Sequence, residues 1–104
     1  MTRTRKPPKT LKRRGRELFR IVTGSFPLEA HHYPLLQTAC EALDRYEQCR
    51  ARLYREGLVY LDRFGKPKAH PLTTVERDAR GQFILALREL GLDEGELPLP
   101  GKRR

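Results

Sequence analysis

DRFGKPKAHP, the sequence of residues 62–71, lies between two long segments with helical periodicity and predicts a tight β-hairpin at that point. Gly65 supplies a residue that tolerates positive φ in the turn, and residues 58–61 and 66–69 predict the two short strands. Pro67 marks the returning strand as an edge strand, because it has no N–H to donate. The pattern therefore predicts a mainly α-helical fold in which two long antiparallel helices are joined by the hairpin.

The first long helix is predicted to begin near Leu28, with Pro34 either starting a second segment or bending the first. It ends at Glu56, and Gly57 suits a left-handed C-terminal cap. Its apolar positions spread over about 180° of arc, whereas a helix that packs on a single partner needs a stripe of roughly 100°. We therefore expect this helix to contact both its own chain and a second subunit.

The second long helix is predicted from Pro71 to Gly91, and a short helix is predicted upstream over residues 15–22. The second long helix carries an apolar stripe about 120° wide, which suits packing within the chain. Ile84 and Leu85 lie outside that stripe. Together with Tyr54 of the first long helix they form a predicted oligomer interface, since apolar residues away from the intrachain contact favour a partner.

Positive charge is concentrated at the start of the chain. The 104 residues carry a net charge of +9 and a pI near 10.2, yet residues 1–20 hold nine Lys/Arg against a single acid. These nine are the predicted DNA-binding residues: Arg3, Arg5, Lys6, Lys9, Lys12, Arg13, Arg14, Arg16 and Arg20. We predict a disordered basic arm over residues 1–14, a helical oligomerisation domain over 15–92 with the hairpin at about 58–70, and a flexible C-terminal tail over 93–104.

The composition of the arm indicates which polyanion it meets. A concentrated basic arm favours a nucleic acid, and the simpler alternative is that it only keeps the chain soluble. A membrane surface is disfavoured, because residues 1–14 offer only Met1 and Leu11 as large apolar anchors. Neither a secretory signal nor a transmembrane span is predicted. Arg63, Lys66 and Lys68 around the hairpin are a possible secondary DNA contact.

The cysteines and histidines predict no metal site and no cofactor. Cys40 and Cys49 fall on one helix roughly 13 Å apart, which is too far for a disulfide, so both are expected to be buried thiols in a reducing cytoplasm. His31, His32 and His70 have no zinc-like spacing to these cysteines.

Two polar residues have alternative interpretations. Arg50 lies in the middle of an apolar arc, and we predict an ion pair with Glu76, the alternative being that it reaches the surface beside Glu47. His70 and Asp62 could be imagined as an acid–base pair. A capping or packing role for His70 is favoured, because it precedes a helix that starts at Pro71.

Many short motifs occur along most of the chain in a characteristic order and spacing. These are Lys6-Pro7-Pro8, Leu11, residues 15–19, Pro34-Leu35-Leu36, Ala39-Cys40, Leu43-Asp44-Arg45, Glu56-Gly57-Leu58, residues 62–65, Ala69-His70-Pro71, residues 76–80 and Leu90-Gly91-Leu92. Together they resemble a known family, the small subunits of tailed-phage terminases, in particular the short helical type of phages and prophages.

The resemblance implies a non-enzymatic DNA-packaging factor in the cytoplasm of the bacterial host. Such proteins assemble into homo-oligomeric rings, bind the packaging-start region of double-stranded phage DNA, and recruit and regulate the large terminase subunit, which holds the ATPase and nuclease. The chain has no Walker sequence and no acidic metal cluster, which agrees with that expectation. The alternative is a DNA-binding transcription regulator that uses the hairpin as a wing, although the helix after Pro71 opens with Leu72 and Thr73, a poor start for a recognition helix.

Overall fold

Three helices and one β-hairpin make up the computed structural model, which describes residues 5–92. In chain order they are α1 (Arg13–Ser25), α2 (His32–Glu56), β1 (Val59–Leu61), β2 (Pro67–Ala69) and α3 (Leu72–Glu89). The mainly helical prediction is confirmed, with the two-stranded antiparallel hairpin between the long helices. Arg3 and the predicted tail over 93–104 lie outside the described residues.

The start of α2 differs from the prediction. The helix begins at His32 rather than near Leu28, because the chain makes a separate turn first: the His32 N–H donates to the Glu29 carbonyl at 2.9 Å, and the His32 Nδ1 accepts from the Glu29 N–H at 3.0 Å. Pro34 then falls in the first turn of the helix, where its missing N–H breaks no helical hydrogen bond.

Glycines end both long helices, as predicted. Gly57 has a positive φ of 87°, but its ψ of 162° is extended, so it does not adopt the left-handed cap predicted for it; its N–H donates to the Leu53 carbonyl at 2.7 Å. Gly91 has a φ of 80°, its N–H reaches the Arg88 carbonyl, and the Leu92 N–H reaches the Leu87 carbonyl at 3.0 Å. This pair of bonds turns the chain back and places Leu92 in the core.

The hairpin turn is organised by Asp62. One of its carboxylate oxygens accepts the Phe64 N–H at 2.8 Å and the Lys66 N–H at 2.9 Å, so the side chain adds to the backbone bonds that close the loop. Gly65 has a φ of 77°, which confirms the positive φ predicted for it. Asp62 thus has a structural role in the turn.

The buried core lies at one end of an elongated molecule of 63 × 31 × 20 Å. There α1 packs on the first half of α2, and the end of α3 packs on α2 and contributes to the same core. The core residues are Leu11, Leu18, Phe19, Val22, Leu36, Ala39, Cys40, Leu43, Ala86, Leu87 and Leu92. Beyond this compact end, α2 and α3 continue as a pair that buries Cys49, Leu53 and Ala79, and every residue of both strands is exposed.

The basic segment is attached to the helical body before α1 begins. Leu11 is only 1% exposed and belongs to the core, and its N–H donates to the Pro8 carbonyl at 3.2 Å. α1 then begins at Arg13 instead of residue 15. The Leu11 side chain therefore fixes the segment to the core two residues before α1 begins.

Arg50 has the predicted partner but not the predicted burial. Its Nε lies 4.0 Å from a Glu76 oxygen and its guanidinium lies 5.5 Å from the ring of Tyr46. The Arg50 side chain is 58% exposed, so the pair is at the surface. Arg50 therefore lies at the edge of the apolar arc, where its long stem lets the charge reach water.

Candidate nucleic-acid interface

A cationic groove lies between residues 5–9 and the outer face of α1. Its lining is almost entirely basic: Arg5, Lys6, Pro7, Lys9, Arg16 and Arg20. Arg16 and Arg20 are four residues apart and therefore share one face of the helix. The Arg16 guanidinium donates to the Lys9 carbonyl at 3.4 Å, which joins the two walls.

The upstream segment runs back along α1 because it is fixed at both ends. At its later end, Leu11 is buried in the core. At its earlier end, the Arg5 guanidinium stacks on the Tyr33 ring at 3.8 Å from the ring centre, and Tyr33 in turn lies 6.5 Å from Phe19. A cation–π contact of this kind holds the charge beside the groove without neutralising it.

Asp44 of α2 determines where α1 begins. Its two carboxylate oxygens accept the Lys12 N–H at 2.6 Å and the Gly15 N–H at 2.7 Å, and the residue is only 7% exposed. These are the N-cap and third positions of α1, which a capping box would satisfy from within the helix. Here one carboxylate on another helix does both, and its charge also offsets the positive end of the helix dipole.

Gly15 is required by this contact. A Cβ built at Gly15 would overlap the Asp44 carboxylate and lie 2.8 Å from the Cys40 carbonyl oxygen. Sequence reasoning did not identify Asp44 as a capping residue. A signal existed, since the first turn of α1 contains Arg13 and Arg14 with no acidic residue, an unfavourable arrangement that calls for an anion from elsewhere.

The structure describes eight of the nine predicted DNA-binding residues and separates them into groups. Five of them, Arg5, Lys6, Lys9, Arg16 and Arg20, line the groove. Arg14 instead pairs with Glu47 of α2 at 3.4 Å, and Lys12 lines a separate cleft beside Glu41 and Asp44. Arg13 is exposed. The field of Lys12 and Arg14 is therefore reduced by acidic neighbours, and the positive field is concentrated in the groove.

The possible secondary contact is far from this groove in the fold. Arg63, Lys66 and Lys68 are exposed on the hairpin, beyond the buried part of the α2–α3 pair, and Arg63 lies 5.0 Å from the ring centre of Phe64. Of the predicted oligomer interface, Tyr54 is 92% exposed and Leu85 is 54% exposed, while Ile84 is half-buried.

His70 has the capping role that was favoured for it. Its Nδ1 accepts the Leu72 N–H at 3.0 Å at the start of α3, which leaves Nε2 to carry the proton and donate to Glu56 at 2.7 Å. The hydrogen bonds from His70 and from Arg52 lower the pKa of Glu56 below its ordinary value. His70 and Glu56 thus fasten the base of the hairpin to both long helices.

The two cysteines are buried free thiols, as predicted. Burial, with smaller contributions from Asp44 and Glu41, raises the pKa of Cys40 to about 12, and burial followed by Glu76 raises that of Cys49. Within residues 5–92 no three His, Cys, Asp or Glu side chains are grouped closely enough to hold a metal ion. No helix in that range is long and apolar enough to cross a membrane.

Comparison with known proteins gives one match. A family model described as phage terminase, small subunit, matches residues 16–94, which is more than half of the chain and includes most of α1 and all of α2, the hairpin and α3. Arg16 and Arg20 of the groove lie inside the match, while residues 5–9 precede it. Neither a curated protein nor a solved structure matches the chain.

Proposed function

Since the chain belongs to the phage terminase small-subunit family, with a role in phage DNA packaging, we propose that it is the non-catalytic, DNA-binding component of a packaging machine. In this proposal the chain assembles into a homo-oligomeric ring and binds the packaging-start region of double-stranded DNA. It recruits and regulates the large terminase subunit in the cytoplasm of the bacterial host. The observation that carries the proposal is the family match over residues 16–94.

DNA contact is assigned to the cationic groove. Five Lys/Arg side chains converge there without an acidic residue among the lining residues. Phosphate contacts by Lys and Arg supply most of the sequence-independent affinity for duplex DNA, because each contact releases condensed counterions. In a ring, several grooves would engage one duplex at a high effective concentration, so weak individual sites would give strong overall binding.

Ring assembly is assigned to the exposed apolar residues of the long helices. Leu85 on α3 and Tyr54 on α2 are largely exposed, and Ile84 is half-buried beside Leu85. Large apolar side chains at such positions favour contact with a neighbouring copy. Helix faces placed side by side around an axis form a head-to-tail interface, which is the kind that closes into a ring.

Native mass spectrometry of the purified chain, alone and with a duplex that spans a packaging-start region, tests this function. We expect a closed oligomer that takes up one duplex without changing its subunit number. A matched non-phage duplex of equal length measures how much of the uptake is sequence-specific. A monomer that takes up no DNA at moderate salt would contradict the proposal.

A further inference from the structure

The first strand of the hairpin is apolar and uncovered along its whole length. Leu58, Val59, Tyr60 and Leu61 are consecutive, and each is between 46% and 67% exposed. A solvent-exposed hairpin ordinarily alternates apolar and polar residues, and an exposed run of four apolar residues is a feature that needs a function. A two-stranded hairpin is also marginally stable alone, so further strands would stabilise it.

The register of the hairpin determines which backbone groups face outward. The His70 N–H donates to the Leu58 carbonyl at 2.8 Å, and the Asp62 N–H donates to the Lys66 carbonyl at 2.9 Å. Because the pattern alternates along an antiparallel pair, Tyr60 also bonds inward, and Val59 and Leu61 point both their N–H and C=O groups away from β2. The outer edge of β1 therefore offers two donors and two acceptors.

The outer edge of β2 is protected. Pro67 and Ala69 occupy its outward-facing positions, since they pair with Leu61 and Val59. Pro67 has no N–H, so this edge has a single outward donor, and Lys66 and Lys68 flank it with positive charge. Proline and lysine are the residues by which proteins protect an edge strand from further pairing. Only β1 is open.

We propose that β1 pairs with β1 of a second copy of this chain, antiparallel about a two-fold axis at Tyr60, to make a four-stranded sheet. In this register Val59 of each copy faces Leu61 of the other, and all four outward N–H and C=O pairs form hydrogen bonds. The two Tyr60 side chains lie directly opposite each other at the axis, in the close type of antiparallel pair.

Charge and symmetry favour a second copy over another partner. β1 carries no charged residue, so pairing it with itself brings no like charges together, whereas pairing β2 with itself would bring lysines together. A two-fold contact is also self-complementary, because the same three residues, Val59 to Leu61, supply both sides. No other surface of the chain has to be complementary to β1.

The position of the hairpin determines what this contact would assemble. β1 lies at the end of the molecule remote from the core, so its two-fold pairing joins two chains end to end. This consequence rests on the proposed ring. The β1 contact would hold two rings together with their hairpins facing each other, so the total number of subunits would be even. The ring itself depends on the helix faces and not on β1.

Leu61→Pro and Ala69→Pro are matched variants that test the pairing. Each removes one outward N–H, on β1 and β2 respectively, and neither removes a hydrogen bond within the hairpin. By native mass spectrometry at one concentration, we expect wild type and Ala69→Pro to have the mass of two rings and Leu61→Pro to have half that mass. Far-UV circular dichroism checks that the helices of both variants are intact.

A cysteine pair gives a second readout if Leu61→Pro fails to fold. Tyr60→Cys places a thiol at the two-fold axis, with the opposed Cβ atoms about 5 Å apart, and mild oxidation is expected to link two chains. Lys68→Cys, on the inward-paired neighbour of Tyr60, is the control and is expected to remain unlinked across copies.

Several results would overturn the inference. A wild-type mass of one ring, with Tyr60→Cys unlinked, would show that β1 does not pair, and would leave the ring and the proposed function standing. A halved mass for Ala69→Pro as well would indicate head-to-tail pairing of β1 with β2 instead. A wild type that forms only a β1-linked dimer would support the inference and contradict the ring.

Discussion

The two ends of the molecule differ in what their apolar residues contact. At the compact end three helices and the segment around Leu11 enclose a core within one chain. At the hairpin end two helices cover little more than Cys49, Leu53 and Ala79, and the strands are exposed. The charged residues follow the same division, with a concentrated groove at one end and scattered cations at the other. The compact end completes a core within one chain, whereas the hairpin end leaves the apolar residues of β1 exposed.

The largest effect is expected from Gly15→Ala at the compact end. The added Cβ would overlap the buried Asp44 carboxylate and approach the Cys40 carbonyl, so α1 would have to move. We expect a loss of about 3 kcal/mol in the free energy of unfolding, measured by urea denaturation. Gly81→Ala on α3 is the control, because no atom lies within 4 Å of its built Cβ. It should stabilise the chain by up to about 1 kcal/mol, and equal losses for the two variants would remove the special role of the Asp44 contact.

Asp44→Ala should have the next largest effect. It leaves the Lys12 and Gly15 N–H groups without their acceptor in a site with little access to water, which should cost about 2 kcal/mol. Asp62→Ala removes two backbone contacts as well, but at an exposed turn where water replaces them, so its cost should stay below about 1 kcal/mol. Similar losses for the two aspartates would mean that the compact end is no better enclosed than the hairpin.

Arg50→Ala should lower the free energy of unfolding by well under about 1 kcal/mol, because the Arg50–Glu76 pair is exposed and its N–O distance of 4.0 Å is long. A double-mutant cycle with Glu76→Ala measures the coupling directly, and we expect only a few tenths of a kcal/mol. A coupling of about 3 kcal/mol or more would indicate a buried pair in solution, and would mean that the helix pair near the hairpin is more enclosed than its exposure indicates.

The smallest effect concerns pH at the base of the hairpin. The pKa of Glu56 is lowered in the folded state by His70 and Arg52. Its contribution to stability is therefore present above the ordinary carboxyl pKa of 4.5 and is lost as the pH falls through the lower folded value. The decrease in Tm between pH 7 and acid, measured by thermal unfolding, should be larger for wild type than for Glu56→Gln. A larger decrease in Tm for the variant would contradict the stabilisation of the Glu56 carboxylate by His70 and Arg52.

The sequence predicted the turns and the helix ends well because local chemistry determines them. Gly57, Gly65 and Gly91 have the positive φ values their turns require, and Pro34 falls in the first turn of its helix. His70 likewise caps the helix that it precedes. In each case the residue and the geometry it imposes are neighbours in the chain, so no knowledge of tertiary contacts was needed.

The compact end was harder to predict because its features depend on residues far apart in sequence. The contact between Asp44 and Gly15 spans 29 positions, and the burial of Leu11 depends on a core formed by all three helices. Charge counting placed nine cations in one group, whereas acidic residues of α2 face two of them. Nearer the hairpin, the burial of Arg50 was overestimated, because the apolar arc of α2 alone does not show how much of that arc α3 covers.

The central claim is that the compact end, and not the hairpin, holds DNA, and the salt dependence of duplex affinity tests it most directly. The triple variant Arg5→Gln, Lys6→Gln and Lys9→Gln removes three groove cations, and Arg63→Gln, Lys66→Gln and Lys68→Gln removes three hairpin cations as the matched control. Each phosphate contact contributes a slope of about −0.9 to log K against log salt. We expect the groove variant to lose much of the wild-type slope and the hairpin variant to keep it; an unchanged slope for the groove variant with a reduced slope for the hairpin variant would contradict the account.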